Sequence, residues 1–151
     1  MRRNDKEITD RAEILDIVRA ARFCRLAFCD GATPYIVPVN FGYADNALYF
    51  HCAPEGRKID IIKQNNRVCF QMDTNLRLKE GERACDWSLD FRSVVGWGTA
   101  KILDDSGEIK EGLRILMKHY SDGDFEFREN DLKGVAVIRI AITRMSGKKS
   151  I

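Results

Sequence analysis

Apolar positions along this chain recur first every three to four residues, then every second residue, and the period switches several more times before the end. A period near 3.6 puts side chains on one helix face and a period of two puts them on one strand face, so each switch marks a new element. Ile14, Ile17, Val18 and Ala21 form the first helical stripe, and Asp10 with Glu13 predicts an N-cap and capping box at its start. Cys24 to Cys29 then alternates, Asp30-Gly31 reads as a turn, and Tyr35 to Tyr43 continues as a longer strand, so a hairpin is predicted. Pro38 lies inside that second strand and has no N–H for a ladder, which assigns it to an edge or a bulge. Ala44-Asp45-Asn46 turns the chain into Ala47 to Cys52, and the expectation is a three-stranded meander.

Ile59, Ile62 and Lys63 return to helical spacing until Asn65-Asn66, and Arg67 to Asp73 reads as a fourth strand. Thr74 to Ala84 is polar and charged and is expected to be a mobile loop. From about Ser88 the chain is strand-like to Leu103, with Gly96 and Gly98 predicting a bulge or a close backbone approach. A third helix follows from Ser106 or Gly107, carrying Ile109, Leu113, Leu116, Met117 and Tyr120 on one face. After the polar stretch Ser121 to Lys133, Val135 to Ile142 is too apolar for a strand with one wet face and belongs at the centre of the sheet or at an interface. The basic tail from Arg144 to Ile151 is expected to fray. The order fits a mainly β fold with peripheral α: a small antiparallel, Greek-key-like barrel of about six strands with three helices, with a plain open α+β sheet as the alternative. No repeat, low-complexity tract or linker divides the chain, so residues 1–151 are expected to form one domain.

Composition narrows the function classes. The formal net charge is +2 and the basic residues are interspersed with acids, which does not favour a nucleic-acid surface. No apolar run is long enough to cross a bilayer and the N-terminal residues are polar, so a cytoplasmic location without membrane association is expected. Cys24, Cys29, Cys52, Cys69 and Cys85 are odd in number and without CxxC spacing, fitting reduced thiols better than disulfides. With only His51 and His119 beside them, no metal centre is expected.

The candidate chemistry gathers at His51-Cys52-Ala53-Pro54-Glu55-Gly56-Arg57-Lys58, which joins a strand to a helix. A helix N-terminus offers free N–H groups and the positive end of a dipole, so adjacent cations are the wrong sign for stabilising it and the right sign for helping it hold an anion such as a phosphate. Arg57 and Lys58 equally fit a solvated first turn, and the sequence leaves both readings open.

Several segments in this order resemble the FMN-binding split barrel of the pyridoxamine 5'-phosphate oxidase-like superfamily, most closely its nitroimidazole-resistance branch. They are Pro34 to Tyr43, Leu48 to Ala53 with Gly56-Arg57-Lys58, Asn66 to Phe70, and Ala84 to Trp87 leading to Arg92 to Gly98. The resemblance implies a homodimer with FMN at the subunit interface. It implies that Arg57 and Lys58 bind the FMN phosphate, with Gly56 standing where the oxidases have a serine, so that a backbone N–H replaces one hydroxyl. Val37, Pro38, Val39, Asn40 and Phe41 would lie along the isoalloxazine, His51 and Cys52 at the strand end contacting the flavin, and Ser93 with Val94 at its pyrimidine side. The oxidases' basic, arginine-containing C-terminal motif has no counterpart in Ile138 to Ile151, which argues against pyridoxamine 5'-phosphate as substrate.

By the same resemblance His51 faces the substrate side of the flavin and is the catalytic candidate, an imidazole placed to donate a proton to a nitro group or carbonyl. Its structural alternative is a strand-end histidine bonded to a loop carbonyl. The implied activity is a flavin-dependent oxidoreductase moving electrons from a donor such as a reduced nicotinamide to a small acceptor. The alternatives are a flavin store or redox sensor without turnover, and a relative binding haem or a deazaflavin. Trp87, Trp97, Asp86 and His119 carry weaker functional signals and fit structural roles.

Overall fold

A single antiparallel sheet accounts for nearly half of the described chain and carries three α-helices on its surface. The computed structural model describes residues 4–150. Met1 to Arg3 and Ile151 lie outside them, and with them the start of the polar N-terminal segment and the last residue of the basic tail. The helices are α1 (Arg11–Ala20), α2 (Arg57–Gln64) and α3 (Ser106–Lys118). The strands are β1 (Glu7–Ile8), β2 (Cys24–Asp30), β3 (Thr33–Val39), β4 (Gly42–Ala44), β5 (Ala47–Cys52), β6 (Arg67–Lys79), β7 (Ser88–Ile102) and β8 (Ala136–Ser150).

The strand order is β3-β2-β6-β7-β8-β5-β4, with β1 pairing to β8. The two ends of this order are consecutive in the chain, since β3 stops at Val39 and β4 starts at Gly42. Three residues span at most about 11 Å, so the sheet must curl until its edges nearly meet. The result is a split barrel: mainly β, antiparallel, with an unpaired seam at Asn40 and Phe41.

The interior is filled by alternate residues of the strands, including Leu26, Phe50, Phe70, Met72, Val94 and Ile138, each no more than 1% exposed. Ile14, Ile17 and Val18 of α1 and Ile59 and Ile62 of α2 complete this core. Gly96 faces Phe70 across the β6–β7 ladder, and a Cβ there would fall 2.0 Å from the ring. Gly98 sits at the β7–β8 bulge, where a Cβ would meet the Ala141 carbonyl oxygen at 2.5 Å. Both glycines therefore answer to close approach, as their positions in the sequence predict. A smaller cluster under α3 joins Leu103, Leu113 and Val137, with Tyr49 packed against it.

Five expectations change. The strands number eight among the described residues rather than about six, because two-residue β1 and three-residue β4 are too short to give a pattern. The meander fails: β3 and β5 lie near opposite ends of the strand order, because the Tyr35 to Tyr43 strand breaks at the seam and its halves pair with different partners. Thr74 to Lys79 is the far half of β6, bulged after Thr74 and paired with the start of β7 through Arg77↔Asp90, Leu78↔Leu89 and Lys79↔Ser88. The tail does not fray as far as Ser150, because β8 pairs with β7 to that residue and Lys148 pairs with Glu7 of β1. Glu13 also leaves its capping box: Asp10 caps the Ala12 N–H, while the Glu13 carboxylate accepts from Lys149 at 3.0 and 3.1 Å. No described helix is long and apolar enough to cross a membrane.

Candidate functional site

The β5–α2 unit forms where the sequence places it. Leu48, Phe50 and Cys52 of β5 point toward the main core, whereas Tyr49 and His51 point to the opposite face, under α3. His51 and Cys52 are thus separated by the sheet itself. Burial pushes the Cys52 thiol up from its ordinary value, with the Lys58 ammonium pulling the other way, so the group is a packed thiol and not a thiolate nucleophile.

At the turn, Gly56 adopts φ +114° and ψ 172°, a conformation that L side chains rarely adopt, and no atom lies within 4 Å of where its Cβ would stand. Gly56 is the N-cap of α2 and supplies no side-chain cap, so no side chain caps the first N–H groups of the helix. Lys58 is half-buried. Arg57 reaches back to the β2–β3 hairpin: its Nε and Nη2 donate to Asp30 Oδ2 at 3.1 and 3.0 Å, and its Cζ lies 4.6 Å from the centre of the Tyr35 ring. The site thus offers backbone donors, a guanidinium and an ammonium at one helix end, a set suited to a phosphate.

On its other face, His51 borders a cavity of about 340 Å³ walled by Leu113, Leu116 and Met117 of α3 and by Phe127 and Val135 of the segment after it. Glu126 and Asp131 complete the rim, and Asp131 is held by Arg128. This is an apolar recess with one imidazole, large enough for a small ring.

Along the seam, Val37 and Val39 pack on the core while Pro38 and Asn40 point outward, and Phe41 is buried with its ring 4.4 Å from that of His119. Pro38 lies on β3, the edge strand, as its missing N–H predicts. The Phe41 N–H, beyond the β3 ladder, donates to Tyr120 Oη at 3.1 Å, and Tyr120 donates to the Arg22 carbonyl at 2.8 Å. His119 caps the end of α3 and bonds the Ala21 carbonyl through Nε2 at 2.7 Å, a structural role.

Ser93 lies on the outer face of β7, its Oγ 3.5 Å from the Lys148 carbonyl it bonds. Val94, next to it, is fully buried in the barrel. One chain therefore gathers Cys52, Gly56, Arg57 and Lys58 at a single turn, spreads Val37 to Phe41 along the seam, and leaves Ser93 on the outer wall. That wall also holds a groove of about 600 Å³ between β2, β6 and β7, floored by Ala27, Cys69 and Trp97. Ile36 stands exposed on the same outward side of β3. Asp30 and Tyr35, the partners of Arg57, were not legible as site residues, since a hairpin turn and an alternating strand account for both. The α3 wall of the His51 cavity was likewise readable only as a helix's apolar stripe.

The sequence profile described as pyridoxamine 5'-phosphate oxidase matches residues 10–149. A candidate 5-nitroimidazole antibiotic resistance protein from Bacteroides thetaiotaomicron VPI-5482 superposes with a TM-score of 0.85 at 31% identity, covering 95% of this chain and 86% of that one. An FAD-binding protein from Mesorhizobium loti superposes with a TM-score of 0.68 at 27% identity, covering 94% and 96%. Among curated proteins, the uncharacterised RA0666 of Rhizobium meliloti (strain 1021) is 37% identical over 65 residues. That match spans 43% of this chain and 42% of the relative, less than half the length of either.

Proposed function

Because the chain belongs to the pyridoxamine 5'-phosphate oxidase family, matched over residues 10–149, we propose that it is an FMN-dependent oxidoreductase of the nitroimidazole-reductase type. It takes electrons from a donor such as a reduced nicotinamide and delivers them to a small acceptor. The observation that carries this reading is the start of α2, where an uncapped helix end, a positive-φ glycine in open space and the adjacent Arg57 and Lys58 coincide. Of the two readings left open by the sequence, this favours the anion site over a merely solvated turn.

The residues present fit the cofactor. Backbone N–H groups after Gly56, the Arg57 guanidinium and the Lys58 ammonium would hold the phosphate; Val37 to Phe41 would lie along the ring system, with the Cys52 backbone at the neighbouring strand end and Ser93, beside the buried Val94, toward the pyrimidine edge. A bound flavin supplies the electron or hydride transfer. His51, exposed at the edge of the recess beneath α3, is the proton donor to the nitro or carbonyl oxygen of an acceptor seated there against mostly apolar walls. The active unit is a homodimer, two copies meeting through the outer wall of β3, β2, β6 and β7, where Ile36 and the Trp97 groove are exposed. Each site then takes residues from both chains.

The test is binding of FMN and of riboflavin, which lacks the phosphate, to the protein and to the Arg57→Ala/Lys58→Ala variant. The variant is expected to lose FMN affinity on the order of a hundredfold, the scale of two charge-assisted contacts, with riboflavin binding unchanged. Equal losses for both ligands reject the phosphate assignment. Sedimentation of the FMN-loaded protein should give twice the 17.3 kDa chain mass, and a monomer that binds FMN rejects the shared site. Yellow protein that fails to reduce nitroimidazoles or quinones under steady turnover favours the flavin store or sensor, and a Soret band favours haem.

A further inference from the structure

We infer that Asp30 and Tyr35, on the hairpin opposite the α2 turn, are positioning residues that hold the Arg57 guanidinium in place for the phosphate; this rests on the reading of that turn given above. Neither residue belongs to β5 or α2. Asp30 ends β2 and pairs across the hairpin with Thr33, so only Gly31, at φ +58°, and Ala32 separate the two strands. A turn this tight fixes the Asp30 backbone within reach of the start of α2. Tyr35 follows on β3, its ring 6.0 Å from that of Phe28, which is itself buried.

The geometry is specific. Both Arg57 donors, Nε at 3.1 Å and Nη2 at 3.0 Å, converge on one oxygen of Asp30, so the carboxylate occupies the long side of the guanidinium. The Tyr35 ring lies against the guanidinium with Cζ 4.6 Å from its centre, a cation–π distance that fixes the tilt of the plane. With one side and one face taken, the fork formed by the two terminal nitrogens remains, and among the described residues no other acceptor is bonded to it. That fork is the edge arginine uses for bidentate recognition of a phosphate.

An ion pair whose side chains are 52% and 38% exposed contributes little to stability, which makes the pair easy to explain as preorganisation and easy to remove without unfolding the protein. Asp30 also acts against binding, because a carboxylate near a phosphate repels it. The repulsion crosses solvent and is screened, whereas a freed arginine must be ordered anew for every binding event, so the positioning effect is the larger.

The experiment compares FMN and riboflavin affinities, read by quenching of flavin fluorescence, across Asp30→Ala, Asp30→Asn, Tyr35→Leu, Tyr35→Phe and Arg57→Ala. Asp30→Ala is expected to weaken FMN binding about fivefold, the scale of immobilising one long charged side chain, with riboflavin unaffected. Asp30→Asn keeps an oxygen that accepts from Nε and should stay within about twofold of the parent. Tyr35→Leu should weaken FMN about threefold while Tyr35→Phe, which keeps the ring face, restores it. FMN affinity that is unchanged or tighter in Asp30→Ala overturns the inference. If Arg57→Ala lowers FMN relative to riboflavin while Asp30→Ala does not, the inference alone falls. If Arg57→Ala changes neither, the phosphate assignment falls with it.

Discussion

Gly96→Ala tests whether the barrel interior is packed as tightly as the β6–β7 register requires. Gly96 pairs with Phe70, and a methyl there would stand 2.0, 2.5 and 2.6 Å from three ring carbons. Carbon atoms rest about 3.5 to 4.0 Å apart, so the ring has to retreat by roughly 1.5 to 2 Å. Phe70 is 1% exposed and surrounded by core, with no solvent into which it can swing. Overpacking of this kind costs about 1–3 kcal/mol, and the absence of an escape route puts this site near the upper end. Phe70→Leu by itself removes ring atoms and leaves a void, a loss on the order of 1–2 kcal/mol. In the double variant the new methyl occupies space the ring gave up, so the two changes should compensate with a coupling of about 1–2 kcal/mol. Urea denaturation reads this directly: with a slope of about 1–3 kcal/mol per molar, Gly96→Ala should lower the midpoint by roughly 1–3 M at unchanged slope. A single variant with the parent midpoint, or a double variant at the sum of the two single losses, refutes the packing argument.

Two further outcomes follow from named groups. His51→Ala should retain FMN with turnover slowed on the order of a hundredfold, the usual share of a general acid; unchanged steady-state rates with a nitroimidazole would return His51 to a structural role. Burial pushes the Cys24 thiol up to about 12 from an ordinary 9.0. Its protonated form is thus favoured by folding, and the stability tied to it is complete below pH 9 and lost as pH rises toward 12. Urea midpoints between pH 8 and 11 should therefore fall less steeply in Cys24→Ala than in the parent, and parallel slopes would contradict the assignment.

The period-two and period-3.6 segments were legible because each buries one face. β5 (Ala47–Cys52) and α3 begin where their patterns begin, and Pro38 and the two β7 glycines announced an edge and two close approaches. The far half of β6 was not legible, because Leu76, Arg77, Leu78 and Lys79 alternate on a ribbon with no buried face, and their polar members read as loop. The basic tail misled for a similar reason: Lys148 and Lys149 look solvated in sequence, yet they meet Phe91 and Glu13. The site residues split the same way. Gly56, Arg57 and Lys58 are adjacent and declare themselves, whereas Asp30 lies 27 positions from Arg57, and only folding brings the two together.

In the proposed reading the seam and the α2 turn form one binding surface, because β3 runs between them. Its Tyr35 carries the guanidinium of Arg57, and four residues later Val39 reaches the break in the ladder. At about 3.3 Å per residue that is a span of roughly 13 Å along a single extended strand. Inside a sheet both edges of a strand are consumed, but β3 is terminal, Pro38 has no N–H, and the Phe41 N–H is met by Tyr120 and not by another strand. A ligand lying along this edge therefore displaces no ladder bond, while its anionic end meets the two cations where the helix begins. An elongated molecule with a phosphate at one end and a flat polar ring at the other matches that order of features. A compact anion would use only the turn and leave the rest of the free edge without a role.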